Sequence, residues 1–199
     1  MIEFSLCMNR LQRRRRPDRV ASGPKQAVSV QMRSESPSGA ATHQIAVSPF
    51  SAEDQPFFTR VARRSHPGQT VSPRDPEALD RFFSNLQRGK LLTEPGAQAF
   101  VATIDGEPCG LVALHPDKDY FTSHPRAHST FLIVAREAEG NGVGRALMDH
   151  VEGWARDRAF REVVVDVFAD NQGAIAFHQR QGYRPAHVRM AKPLTEPRL

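Results

Sequence analysis

Three glycines alternate with larger residues in REAEGNGVGRALMDH, residues 136–150. Gly140, Gly142 and Gly144 stand just ahead of a helical pattern, and that placement suits the binding of an anion. The first backbone N–H groups of a helix have no partner inside it, and the helix dipole adds partial positive charge there. Glycines remove the Cβ obstruction, so a phosphate or pyrophosphate can approach the main chain. The loop is not a P-loop, because no Gly-Lys-Ser/Thr follows, and it is not G-x-G-x-x-G, because position 145 is Arg. From the glycines alone, a tight strand-to-helix turn without a ligand is the other reading.

Other residues could also do chemistry. Asp166 interrupts the run VVVDV, and a charge in a buried strand is costly unless it is paired or functional. His115, His124 and His128 lie across a strand end and a proline-bounded loop, with no cysteine partner and no H-E-x-x-H, so no metal is expected. Cys109 lies in an apolar run and reads as a small core residue. Two cysteines in 199 residues make no disulfide framework.

These groups need elements to position them. Gln44–Val47 is a short strand. Ser51 to Asp54 resembles a capping box, and Phe57, Phe58, Val61 and Ala62 follow at helical spacing. Ala78, Leu79, Phe82, Phe83 and Leu86 predict a second amphipathic helix. Ala99–Ile104 and Cys109–His115 are apolar runs joined by Asp105-Gly106, a hairpin signal, with a loop over Pro116–Pro125. Ser129–Val134 is a strand, and Val143, Leu147, Val151 and Trp154 mark one helix face. Glu162–Phe168 reads as a central strand, Ala174–Gln181 as a short helix, and Tyr183–His187 and Val188–Pro193 as closing strands. The order predicts an α/β fold, a mixed sheet with helices on both faces.

Composition bounds the rest. The net charge of +5 resides in residues 1–43, which hold eight Lys/Arg and three Asp/Glu; the remainder is neutral. Residues 1–43 therefore read as a disordered basic tail and residues 44–199 as one domain. The domain has no overall electrostatic reason to seek nucleic acid, although Arg13–Arg16 could attract it to the tail. No apolar run approaches the roughly 18 residues needed to span a bilayer. A cytoplasmic location is expected.

Two motifs in order, with VVVDV between them, carry a resemblance. Residues 131–183 resemble the GNAT superfamily of acetyl-CoA-dependent N-acyltransferases. The family's V-x-P-x-x-[QR]-G-x-G-x-G/A runs here from Val134 to Gly144, and N-x-x-A-x-x-[LF]-Y-x-x-x-G-[FY] runs from Asn171 to Tyr183. Arg136 replaces the usual proline, Glu139 the usual Gln or Arg, and His178 the usual tyrosine. The resemblance implies a mostly antiparallel central sheet of about six to seven strands. It also implies transfer of an acetyl group from acetyl-CoA to a primary amine, on a small molecule or a protein, by direct attack in a ternary complex.

The same resemblance assigns roles. Backbone N–H groups around Gly140, Asn141, Gly142, Val143, Gly144 and Arg145 would hold the pyrophosphate. Leu132, Asn171, Ala174 and Phe177 would line the rest of the cofactor's path, and the Val134 N–H would polarise the thioester carbonyl. Glu139, at the head of the loop, would point to solvent, while the Arg145 side chain attracts the phosphates. His178 stands where the acid to the leaving thiolate is expected, with Tyr183 in reserve. His128 occupies the place of a carboxylate base, on one face with Thr130, Leu132 and Val134 by the two-residue period, and Asp166 is the alternative base. A homodimer is left open. An acyl-CoA-binding module with little catalysis and a nucleic-acid-associated protein are the competing classes.

Overall fold

The computed structural model describes residues 44–62, 84, 95–190 and 192. Residues 1–43, and all but Ser84 of the helix expected over 78–86, lie outside them. Five strands form one sheet in sequence order: β1 (Ile45–Pro49), β2 (Gln98–Ile104), β3 (Glu107–Lys118), β4 (Pro125–Val134) and β5 (Val163–Val165). The first four are antiparallel, and β5 joins β4 in parallel. The helices are α1 (Gln55–Ala62), α2 (Val143–Asp157) and α3 (Gln172–Arg180).

Local sequence accounts for most boundaries. Asp105 and Gly106 both take positive φ, 51° and 88°, the conformation that a two-residue hairpin turn requires. At Ser51 the N–H donates to the Asp54 carboxylate at 2.8 Å while the hydroxyl accepts from the Glu53 N–H at 3.2 Å, so a 3-10 turn leads into α1. Strand β3 runs further than the apolar pattern suggests and includes Pro116. Leu114 is the last β3 residue paired to β2, so Pro116 faces no β2 partner and its missing N–H costs no ladder bond there. The loop shrinks to the stretch between Lys118 and Pro125. It is tied by Asp119, which accepts from the Phe121 and Thr122 N–H groups, and by Arg126, which bridges Asp117 at 2.8 Å and Asp119 at 3.1 Å.

The C-terminal part departs from expectation. Five strands are present among the described residues, not six to seven. Residues 183–190 carry no ladder, so the closing strands are missing there. The run over Glu162–Phe168 shortens to three half-buried strand residues and sits at the sheet edge instead of its centre. One cause explains both: among the described residues nothing pairs beyond β5, which leaves it a single neighbour there.

The two sheet faces carry different helices. Phe58 of α1 meets Phe131 edge-to-face at 5.9 Å, so α1 covers the face to which Phe131 points. Helix α2 covers the other. A Cβ on Gly110 of β3 would lie 2.7 Å from Val143 Cγ1 and 3.0 Å from Leu147 Cδ1, so the helix rests directly on that glycine. Phe58, Val101, Leu111, Val112, Leu114, Leu147, Met148 and Val151 make the buried core between the layers. The Gly110→Ala variant forces α2 outward, which costs about 1–3 kcal/mol for overpacking. Its Tm should fall by several degrees in a thermal unfolding scan; a Tm within one degree of the parent's would show that α2 does not depend on this contact.

Candidate active site

The central feature is a parting of strands. Strand β4 pairs with β5 only over Ala127–Ser129, opposite Val163–Val165, yet continues to Val134. A cleft of about 400 Å³ opens where the pairing stops. Its walls include Thr130–Val134 on one side, Val165–Phe168 on the other, and Asn171, Ala174, Phe177 and His178 from α3. Consecutive β4 residues line it, so the opening runs along the edge of β4 that β5 leaves unpaired.

A β-bulge decides what faces this cleft. Phe131 pairs with Ala113 and Ser129 with Leu114, which leaves Thr130 extra; its hydroxyl donates to the Ala113 carbonyl at 3.3 Å. Before the bulge, the Ala127 N–H points towards β5 and bonds the Glu162 carbonyl at 3.0 Å. Past the bulge, the Ala135 N–H bonds the Cys109 carbonyl on β3 at 2.8 Å. Backbone groups alternate along a strand, so Val134 and Leu132 turn theirs to the cleft edge, where no strand meets them.

The bulge also revises the expected side-chain faces. His128 pairs with His115 and Phe131 with Ala113, which share a face of β3; Leu132 pairs with Val112 on the other. His128 therefore does not share a face with Leu132 and Val134 but lies on the α1 side with Phe131. The extra residue shifts the two-residue period by one.

At one end of the cleft stands the start of α2. Its cap is Gly142, which has no side chain to bond the first N–H groups, whereas Ser51 caps the first turn and Asn171 caps α3 by accepting from the Ala174 N–H at 3.1 Å. The N–H groups of Val143, Gly144 and Arg145 therefore begin a fifteen-residue helix without a cap. Gly140 and Gly142 hold φ near 83° and 82°, and a Cβ on Gly140 would meet nothing within 4 Å. Gly144 has a different cause. A Cβ there would come within 3.2 Å of the Phe177 ring, so this glycine lets α3 pack against α2.

Other loop residues divide. Glu139 is exposed and borders the cleft. Asn141 borders a separate hollow with Arg60, Cys109 and Glu137. Arg145 is exposed, with its guanidinium 3.7 Å from Asp149 one helical turn on.

His178 is buried at 8% exposure, between Phe177 (5.0 Å) and Tyr183 (5.4 Å) in edge-to-face contacts. Its Nδ1 is sealed from solvent without a hydrogen-bond partner among the described residues. Nε2 is thus the ring nitrogen able to reach the cleft that His178 lines. Burial pushes its pKa below the usual imidazole range, so the ring is neutral at pH 7. Tyr183 does not line the cleft. Its hydroxyl donates to Glu152 of α2 at 3.3 Å, and burial followed by the Glu152 charge raises its pKa well above the phenol range.

The two candidate bases form one pair. His128 Nε2 lies 3.1 Å from Asp166 Oδ2, and that hydrogen bond, more than any other influence, holds the Asp166 carboxyl below its ordinary pKa. Asp166 lines the cleft, and the His115 ring packs 5.1 Å from His128 on the far side. His124 stands apart, 3.3 Å from Arg161. Thr130 and Phe168 were not singled out from sequence; the polar pair Ser129-Thr130 within an apolar run was the available signal.

Residues 56–183 match the model of the acetyltransferase (GNAT) family. The chain is 32% identical over 111 residues to an aminoglycoside N(6')-acetyltransferase type 1 of Stenotrophomonas maltophilia, covering 54% of this chain and 71% of that one. It is 32% identical over 91 residues to the mouse N-acetyltransferase 8F1, covering 46% of this chain but only 41% of the relative, so it spans under half of that relative's length. Among solved structures, the aminoglycoside N-acetyltransferase AAC(6')-Iy in complex with CoA superposes with a TM-score of 0.57 at 18% identity, covering 81% of this chain and all of that one. The parted strands and the uncapped helix start lie within the matched residues, and the chain belongs to the acetyltransferase (GNAT) family.

Proposed function

We propose that the protein transfers the acetyl group of acetyl-CoA to a primary amine by direct attack in a ternary complex. The observation that carries this reading is the cleft between the parted strands, with the Val134 and Leu132 backbone at its edge and the uncapped start of α2 beside Val134. A pyrophosphate at Gly142–Arg145 meets N–H donors and the helix dipole. From there an extended pantetheine can follow the open β4 edge as a further strand would. That brings the thioester carbonyl to the Val134 N–H, an oxyanion-type donor. The CoA complex of AAC(6')-Iy, a protein of the same fold, supports this choice of co-substrate.

Transfer forms an N–C bond and breaks the C–S bond, with one proton leaving the amine and one reaching sulfur. The amine approaches from the α1 face, where His128 accepts its proton and Asp166 orients the imidazole and stabilises its charged form. His178 Nε2–H hydrogen-bonds the leaving sulfur and keeps its proton, so the coenzyme leaves as a thiolate and takes the proton on sulfur from solvent. One observation favours a second reading, an acyl-CoA-binding module with little turnover: His178 is held neutral and Tyr183 is committed to Glu152, so neither is a ready acid.

Three measurements test these assignments. Acetyl-CoA at about 100 times its Kd should stabilise the protein by about 2.7 kcal/mol, seen as a rise in Tm; thiol release with a panel of amines then identifies the enzyme, and stabilisation without release in any amine would leave the binding module. His128→Gln should lower kcat/KM by about 10²-fold and remove the acidic limb of its pH profile; an intact limb would exclude His128 as base. His178 also makes stability depend on pH. Its folded pKa lies below its unfolded value of about 6.5, so below that value the unfolded chain takes up a proton that the folded one does not, and stability falls with pH. Denaturant unfolding of His178→Gln should show a shallower loss of stability from pH 7.5 to 5 than the parent, and an equal slope would contradict the neutral buried ring.

A further inference from the structure

We propose that Glu139 weakens the protein's own grip on the coenzyme and so sets how fast the product coenzyme leaves. The inference rests on the acetyl-CoA reading above and concerns the same site. Glu139 heads the glycine turn, is exposed, and borders the cleft that ends at the uncapped start of α2. Its carboxylate thus shares with the pyrophosphate position a region that also holds attractive contributions. Those are the N–H groups of the first helical turn and the helix dipole. The backbone supplies the binding, and the acid at its rim opposes it.

The neighbouring acid provides a built-in comparison. Glu137 lies two residues earlier and is also exposed, but it turns to the separate hollow, where Arg60 stands 3.6 Å from it. The two glutamates carry the same charge on one turn, and only Glu139 borders the cleft. A general effect of net charge would act through both, whereas a local opposition to the bound phosphates acts through Glu139.

The interaction is between partly solvated charges, so it is screened by salt over a length of about 8 Å at physiological ionic strength. Acetyl-CoA and CoA carry the same pyrophosphate, so the weakening applies to both. Its kinetic consequence is faster loss of CoA after transfer, because affinity changes within one site act mostly on dissociation rate.

The test measures binding of acetyl-CoA and CoA by calorimetry, and CoA dissociation by stopped flow, for the parent, Glu139→Gln and Glu137→Gln. At low ionic strength Glu139→Gln should tighten both ligands by about three- to tenfold, mainly through slower dissociation. The gain should shrink towards none in about 1 M salt, and Glu137→Gln should match the parent. Stronger product inhibition by CoA in Glu139→Gln would be the steady-state counterpart. Equal affinity of parent and Glu139→Gln overturns the proposal, as does a gain that is unaffected by salt or shared by Glu137→Gln. If the folded parent binds neither ligand, the acetyl-CoA reading itself fails, an outcome distinct from the others.

Discussion

The seat of α2 on the sheet is the contact on which the site depends. Gly110 lets Val143 and Leu147 rest on β3 where any side chain would hold them off, and Gly144 lets the Phe177 ring close against the same helix. These two contacts fix where the first turn of α2 stands relative to the end of β4. They therefore fix where the uncapped N–H groups stand relative to the Val134 backbone. In the proposed mechanism an anion site and an oxyanion donor act on one extended ligand and must keep a fixed separation, and here close packing of side chains on two glycine main chains supplies it. Tyr183 adds a tie from the segment after α3 back to Glu152 of α2.

The site divides between main chain and side chain. The groups proposed to face the cofactor are backbone N–H groups, indifferent to residue type except for the glycines that shape the turn. The groups proposed to handle protons are side chains: His128 with Asp166 on the α1 face, and His178 in the cleft wall. That division explains how Arg136, Glu139 and His178 can depart from the family pattern while the fold of the turn is kept. Arg136 opens the 3-10 turn that links β4 to the loop, a position that no buried contact restricts to proline.

Features encoded in a few neighbouring residues were legible in the sequence. The Asp105-Gly106 turn, the Ser51 cap, the α2 stripe and the glycine turn each follow from local rules, and each is present. What depended on distant pairing was not legible. Thr130 looks like any member of an alternating strand; only the partner strand reveals that it is extra, and that one residue moves His128 to the other face. The VVVDV run looks central because it is apolar, but its place depends on whether residues 183–190 pair with it, and they do not. Asp166 and His128 are 38 positions apart and each was weighed as a separate base; the parallel register that sets Val164 beside His128 makes them a pair.

The three-residue ladder between β4 and β5 has a mechanical meaning as well. Strands β1 to β4 are joined along most of their lengths and act as one plate, and α2 rests chiefly on β3 and β4. Strand β5 joins that plate by the residues opposite Ala127–Ser129, and α3 beyond it is tied to α2 through Phe177 and Tyr183. A load that spreads the sheet concentrates at this short seam, which lies at the closed end of the cleft like the pivot of a pair of tongs. Small rotations there become larger changes of width at Val134 and Phe168, so the stiffness of three residue pairs, together with the α3–α2 contacts, bears on how tightly the jaws can hold whatever lies between them.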